Sequence, residues 1–175
     1  RLSGLGDRKS GWGVAGDTFE TMGQLAHLGL DPWFRLGDRD LAMHLARTAA
    51  LAEGSALSEF TRALSQRMDL GVDLLPMTDD DVATRVHTRT GVLGFQEWFV
   101  RERAAIPVDA VAYEGIEQAR TAPGVLEAIA AADLVVLGPS NPVASILPIL
   151  AVPGVRESVA AQRCVAVTPT VAGVP

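Results

Sequence analysis

The run Ala132-Ala-Asp-Leu-Val-Val-Leu-Gly-Pro-Ser-Asn-Pro-Val-Ala-Ser-Ile146 constrains the fold more than any other stretch of the chain. Leu134–Leu137 is short, apolar and β-rich, the pattern of a fully buried strand. Gly138-Pro-Ser-Asn-Pro142 halts it with turn-favouring residues, and Pro142 falls where a helix tolerates a missing N–H. Strand, polar turn and helix start, in that order, describe the carboxyl edge of an α/β sheet. Loop N–H groups and a helix dipole converge on an anion there. From this loop alone, an ordinary strand-to-helix connection is an equal reading.

The neighbouring pattern weighs for the sheet. Val108–Tyr113 reads as a strand, Pro123–Ala131 as a helix, Pro142–Leu150 and Val155–Ala161 as helices, and Cys164–Thr168 as a strand. Such alternation implies an α/β fold with a doubly wound, mostly parallel, Rossmann-like sheet. Cys164, the single cysteine, is expected to be buried in its strand, and one cysteine makes neither an internal disulfide nor a cysteine-based metal cluster. Residues 1–37 and 104–175 are assigned to the α/β layer, whose carboxyl edge would bind the ligand. Residues 38–103 are assigned to a mostly helical insertion carrying a strand pair.

Within that insertion, Asp38 is placed to cap a helix running to about Glu53, where Gly54 stops it. Leu41, Leu45, Thr48 and Ala52 share one face of it. Ser58 opens a second helix, with Phe60, Leu64 and Met68 spaced by four and Gly71 at its end. Val72–Leu75 reads as a strand, leading into Asp79-Asp80-Asp81. Three successive carboxylates suit a magnesium ion or a base, although such a run is more often a solvated turn or helix cap. Val82–Arg89 alternates as a half-exposed strand, Gly91–Gly94 as a turn, and Phe95–Arg103 as a helix with an aromatic side. Ahead of the insertion, Arg1–Ala15 reads as a loop. Asp17 or Thr18 is expected to cap a helix reaching about Leu28, and Trp33 and Phe34 to be buried aromatics.

Composition removes several functions. A net charge of −6 disfavours nucleic acid or an anionic membrane surface as partner, and no run approaches the ~20 apolar residues of a membrane span. The histidines His27, His44 and His87 show no metal-ligand spacing. A cytoplasmic protein is the expectation. Both ends read as cut, since the chain begins at Arg1 without a methionine and closes just after a strand, so a partial chain is also expected.

Ordered motifs then give a resemblance. They are Gly11-Trp-Gly13 with Gly16-Asp-Thr-Phe19, Trp33-Phe-Arg-Leu-Gly-Asp-Arg-Asp40, Leu75-Pro-Met-Thr-Asp-Asp80, Phe95-Gln-Glu-Trp98, Ala122-Pro-Gly-Val-Leu-Glu127 and Gly138-Pro-Ser-Asn-Pro142. Together they resemble the 2-phospho-L-lactate transferase family of deazaflavin coenzyme F-420 biosynthesis, over nearly the whole chain. The resemblance implies transfer of a phosphoenolpyruvyl or 2-phospholactyl group from a guanosine-diphosphate-linked donor to 7,8-didemethyl-8-hydroxy-5-deazariboflavin. GMP would be released, magnesium would be the cofactor, and a homodimer would be the assembly. On this reading Trp12, Asp17, Thr18 and Phe19 serve the deazaflavin, and Gly138, Ser140 and Asn141 hold a donor phosphate. Asp79 and Asp80 are weaker candidates for magnesium or for orienting the hydroxyl. The family's glycine-rich amino-terminal nucleotide loop has no counterpart here, and Ala15 stands where many members carry a basic residue, a charge that Arg8 or Lys9 would have to replace. The alternative is a non-catalytic nucleotide-sugar-binding regulator of the related gluconeogenesis factor group.

Overall fold

The computed structural model describes residues 3–7 and 13–168. The chain forms two compact units, Arg1–Leu74 and Leu75–Pro175. Together they contain a mixture of helices and strands, in agreement with an α/β class.

The first unit is helical. Helix α1 spans Glu20–His27, α2 spans Asp38–Ala52 and α3 spans Leu57–Arg67. The sequence places α2 well: it ends at Glu53, and Gly54 takes the left-handed φ of +93° that stops helices. Its sheltered face differs from the expected one. Leu45 is 62% exposed, while Leu41, His44, Arg47 and Ala50 are half-buried, and Arg47 Nη2 lies 2.9 Å from His44 Nδ1. The methylenes of Arg47 shelter here in place of the leucine. In α3 the expected face holds, with Phe60, Leu64 and Met68 all half-buried. The helix stops before Gly71, because Asp69 already turns left-handed at φ +47°. Glu59 Oε2 reaches back to accept the N–H of Ala56 at the other end, one half of a capping box. Trp33 is exposed, not buried, and meets Phe34 edge to face at 5.7 Å.

Among the described residues, the second unit holds two sheets. Strands β1 (Ala83–Thr88), β2 (Gly91–Gly94) and β3 (Val108–Glu114) form an antiparallel sheet in the order β2-β1-β3. Gly91–Gly94 is therefore a strand, paired from Thr88↔Gly91 to Arg85↔Gly94. Its glycines hid it in the sequence, since they supply no side-chain alternation. Val86 at the centre of β1 is 1% exposed, as the alternation required. The register slips between His87 and Thr88. A π-helical turn, Glu97–Arg101, carries Trp98 and Phe99, with Phe95 stacked on Phe99 at 5.6 Å and Trp98 Nε1 donating to Ile106 O. Val72–Leu75 forms no strand.

Helix α4 (Val125–Ala130) leads to strand β4 (Val135–Leu137), then to a π-helical turn Pro142–Ile146, helices α5 (Leu147–Ala151) and α6 (Val155–Ala160), and strand β5 (Cys164–Ala166). β4 and β5 pair in parallel, as the helical crossover between them demands. Two expected burials are overturned: Val136 is 57% exposed and Cys164 is exposed, each lying in a sheet of two strands among the described residues. Val152 and Val155, 1% exposed each, and Pro148 are buried in the crossover. Among the described residues, no helix is long and apolar enough to cross a membrane.

Candidate functional site

In the first unit, residues 14–40 build a site from two helix starts that satisfy each other. A helix begins with backbone N–H groups that its own turns cannot use, and a nearby side-chain oxygen usually takes them. Neither α1 nor α2 is capped by its own preceding residue, since Phe19 and Gly37 occupy those positions. Asp38, from the start of α2, accepts instead the N–H groups of Glu20 and Thr21 at 3.0 Å each, and the Thr18 hydroxyl donates to it at 2.5 Å. Asp17 returns the service: its Oδ1 accepts the N–H of Arg39 in α2 at 2.9 Å, together with that of Thr18. The Asp38 N–H donates to Thr18 O between them. Thr18's hydroxyl bond, its largest cause, with further bonds to Thr21 and Glu20, lowers the pKa of Asp38 from 3.8 to about 2.

Gly37 sits inside this lock. Its φ of −68° is open to any residue, but a Cβ there would overlap the Asp17 carboxylate. Beside it lies a cavity of about 400 Å³ whose wall includes Asp17, Phe19, Arg35, Gly37 and Asp40. The Arg35 guanidinium stands 4.8 Å above the Phe19 ring, and the Arg39 Nη1 donates to Ala15 O at 2.7 Å. Asp17 Oδ2 is buried and has no hydrogen-bond partner. Of the residues named for the deazaflavin, Asp17 and Phe19 line this cavity and Thr18 is bound to Asp38. Trp12, like Arg8 and Lys9, lies outside the described residues. Arg35 and Gly37 were not singled out in the sequence, although both fall within the Trp33–Asp40 motif.

In the second unit, the Gly138–Pro142 turn lies where expected, between β4 and a helical start. Its donors are partly spent within the turn. The Ser140 N–H reaches back to Gly138 O at 2.8 Å, and Asn141 Oδ1 accepts the N–H groups of Val143 and Ala144 at 3.0 and 2.9 Å. Asn141 is thus a helix cap whose amide plane is fixed, leaving Nδ2 as the donor it offers. Tyr113 Oη donates to Val143 O, tying β3 to the same turn, and burial raises the Tyr113 pKa. Asn141 also borders a mainly apolar cavity of about 290 Å³ lined by Phe95, Trp98 and Val111. Replacing Asn141 with alanine is expected to cost about 1 kcal/mol through the lost cap. Urea denaturation checks it; an unchanged midpoint would show that the cap carries no load.

The carboxylates Asp79–Asp81 do not converge. Asp80 Oδ2 accepts the Arg120 N–H at 2.8 Å, its own N–H donates to Thr78 Oγ1, and Thr78 Oγ1 donates to Arg120 O at 2.6 Å. The Arg120 N–H, the first cause, lowers the Asp80 pKa. Asp80 therefore fastens the segment before α4 to the chain at Thr78, a structural task. Among the described residues, no three histidine, cysteine or carboxylate side chains gather as a metal site. No magnesium ligand is assigned.

Comparison with known proteins places the chain. The family model described as 2-phospho-L-lactate transferase CofD matches residues 7–173. A protein of Thermobifida fusca named phosphoenolpyruvate transferase is 47% identical, across 99% of this chain and 56% of the relative. One of the same name from Streptomyces coelicolor is 49% identical, across 91% of this chain and 51% of the relative. The chain spans about half the length of these curated relatives. Among solved structures, protein BH3568 from Bacillus halodurans superposes with a TM-score of 0.56 at 20% identity, covering 95% of this chain and 50% of that one, a likeness of fold.

Proposed function

The chain belongs to the 2-phospho-L-lactate transferase family, and from that premise we propose that its parent protein moves a phosphoenolpyruvyl group from a guanosine-diphosphate-linked donor to 7,8-didemethyl-8-hydroxy-5-deazariboflavin, releasing GMP. The observation that carries the reading is the family match over residues 7–173. The relatives' shared name favours phosphoenolpyruvate over phospholactate as the donated unit.

The reaction is attack of an alcohol on phosphorus, so the protein's contribution is mainly position and charge stabilisation. The cavity beside Asp17 suits the acceptor: Phe19 lends its wall an aromatic side chain, and Asp17 and Asp40 lend it carboxylates. Trp12 belongs with them in the proposal. In the second unit, Gly138, Ser140 and Asn141 are proposed to take a donor phosphate. The Ser140 hydroxyl and Asn141 Nδ2 serve as donors, and the turn's own bonds hold it in one shape. Magnesium stays part of the proposal as the ion that would offset the donor's diphosphate charge; the described residues supply no cluster to hold it, and no step is assigned to it. A homodimer in the cytoplasm completes the reading.

The test is incubation of the full-length protein with the deazaflavin and each guanylated donor, with GMP followed by chromatography. Release with the phosphoenolpyruvyl donor is expected. No release with either donor, together with tight binding of a nucleotide sugar, would replace the transferase by a regulator.

A further inference from the structure

Helix α3 carries a row of exposed residues, Glu59, Ala63 and Arg67, spaced one turn apart along one side. All of them border a mostly apolar groove of about 440 Å³ that α2 and α3 line together. Phe60 and Leu64 contribute from α3, and Met43 and Ala46, both exposed, contribute from α2. A groove of this kind suits the apolar side of a helix.

The charges at the ends of the row are unanswered within the chain. Among the described residues, neither Glu59 nor Arg67 enters an ion pair. They stand about 12 Å apart along the helix at 1.5 Å per residue, too far to meet each other. Glu59 gives Oε2 to the Ala56 N–H and keeps Oε1 for another donor.

We propose that the groove receives α3 of a second copy of this chain, in antiparallel contact across a two-fold axis at Ala63. The row is complementary to itself only in that arrangement. Ala63 lies midway, so a two-fold axis there sets Glu59 of each copy against Arg67 of the other. A parallel contact would set Glu59 against Glu59 and Arg67 against Arg67. Alanine at the crossing point lets two helices approach to about 8 Å, the close end of helix packing. Phe60 and Leu64 flank the crossing and supply its apolar contact. The proposal rests on the homodimer of the reading above and names its surface.

Sedimentation equilibrium of the full-length protein tests it. Ala63→Lys sets like charges together at the axis, on a residue that faces solvent in the single chain. Arg67→Glu sets two carboxylates together at each end of the contact. Each variant is expected to raise the dimer dissociation constant about 100-fold, the scale of like-charge contacts in an interface, with the circular dichroism of the parent retained. Glu59→Arg should dissociate in the same way. Mixing Glu59→Arg with Arg67→Glu should restore a mixed dimer, because opposite charges then meet at both ends. A dimeric parent beside variants within about threefold of its dissociation constant, well short of a like-charge penalty, overturns the surface and leaves the homodimer standing. A monomeric parent overturns both. If Ala63→Lys also lowers the melting temperature of that monomer, the groove belongs to another segment of the same protein. The GMP assay reports on the transferase reading separately.

Discussion

Replacing Gly37 with alanine is expected to destabilise the first unit by about 3 kcal/mol, the combined scale of overpacking and a lost helix cap. The reason is space rather than backbone. At φ −68° and ψ 157° an alanine is conformationally content, but its Cβ would fall on the Asp17 carboxylate. That carboxylate has little freedom to retreat, because Oδ1 is held by the N–H groups of Thr18 and Arg39. To make room, Asp17 must release the start of α2, and the Asp38 N–H bond to Thr18 O next to it loosens as well. Chemical denaturation of Gly37→Ala against the parent, followed by circular dichroism, checks the expectation. An unchanged midpoint would mean that the lock tolerates the methyl group and that the geometry around Asp17 is slack. Gly23→Ala is the control, because a Cβ there meets nothing within 4 Å and glycine in mid-helix is already a disadvantage.

Asp38 makes the second large effect, and it depends on pH. Its folded-state pKa of about 2 lies below the ordinary 3.8. A depressed carboxylate contributes stability above its unfolded pKa and loses that contribution as pH falls through the folded value. The first unit should therefore weaken between about pH 4 and pH 2 as Asp38 gains its proton. The bonds from Thr18, Glu20 and Thr21 give up their charged acceptor over the same range. Asp38→Asn is expected to lower the melting temperature at neutral pH and to flatten its decline in acid. Parallel declines for parent and variant would assign the acid sensitivity to another group, such as Asp80, whose pKa is lowered by the Arg120 N–H.

The capping residues show where the sequence is legible and where it stops. Asp17 and Asp38 both announce helix starts, and helices do start beside each of them. Local pattern assigns each aspartate to the helix that follows it in the chain. The structure exchanges the partners, so that Asp17 serves α2 and Asp38 serves α1, across 22 and 17 residues. Propensity records that a carboxylate belongs near a helix start, but not which start is closest in space. The same limit hid Arg35 and Gly37, whose importance lies in what they stand against. Strand β1 and helix α2 were readable because alternation and caps are local properties. Strand β2 was not, because its glycines carry no pattern, and the exposure of β4 and β5 was not, because burial depends on what covers a strand. The Gly138–Pro142 turn lies where the sequence placed it, while its internal bonds from Asn141 and Ser140 depend on a geometry that residue types alone do not carry.

Helices that cap each other cannot open one at a time. Releasing Asp38 exposes the amides of Glu20 and Thr21, and releasing Asp17 exposes that of Arg39, so neither helix start can fray without disturbing the other. In hydrogen exchange these three amides should exchange as one group, with a common opening free energy. A ligand seated against Asp17 would raise the protection of all three together, including the pair in α1 that Asp38 holds. Binding in the cavity would then be visible at amides the ligand never touches.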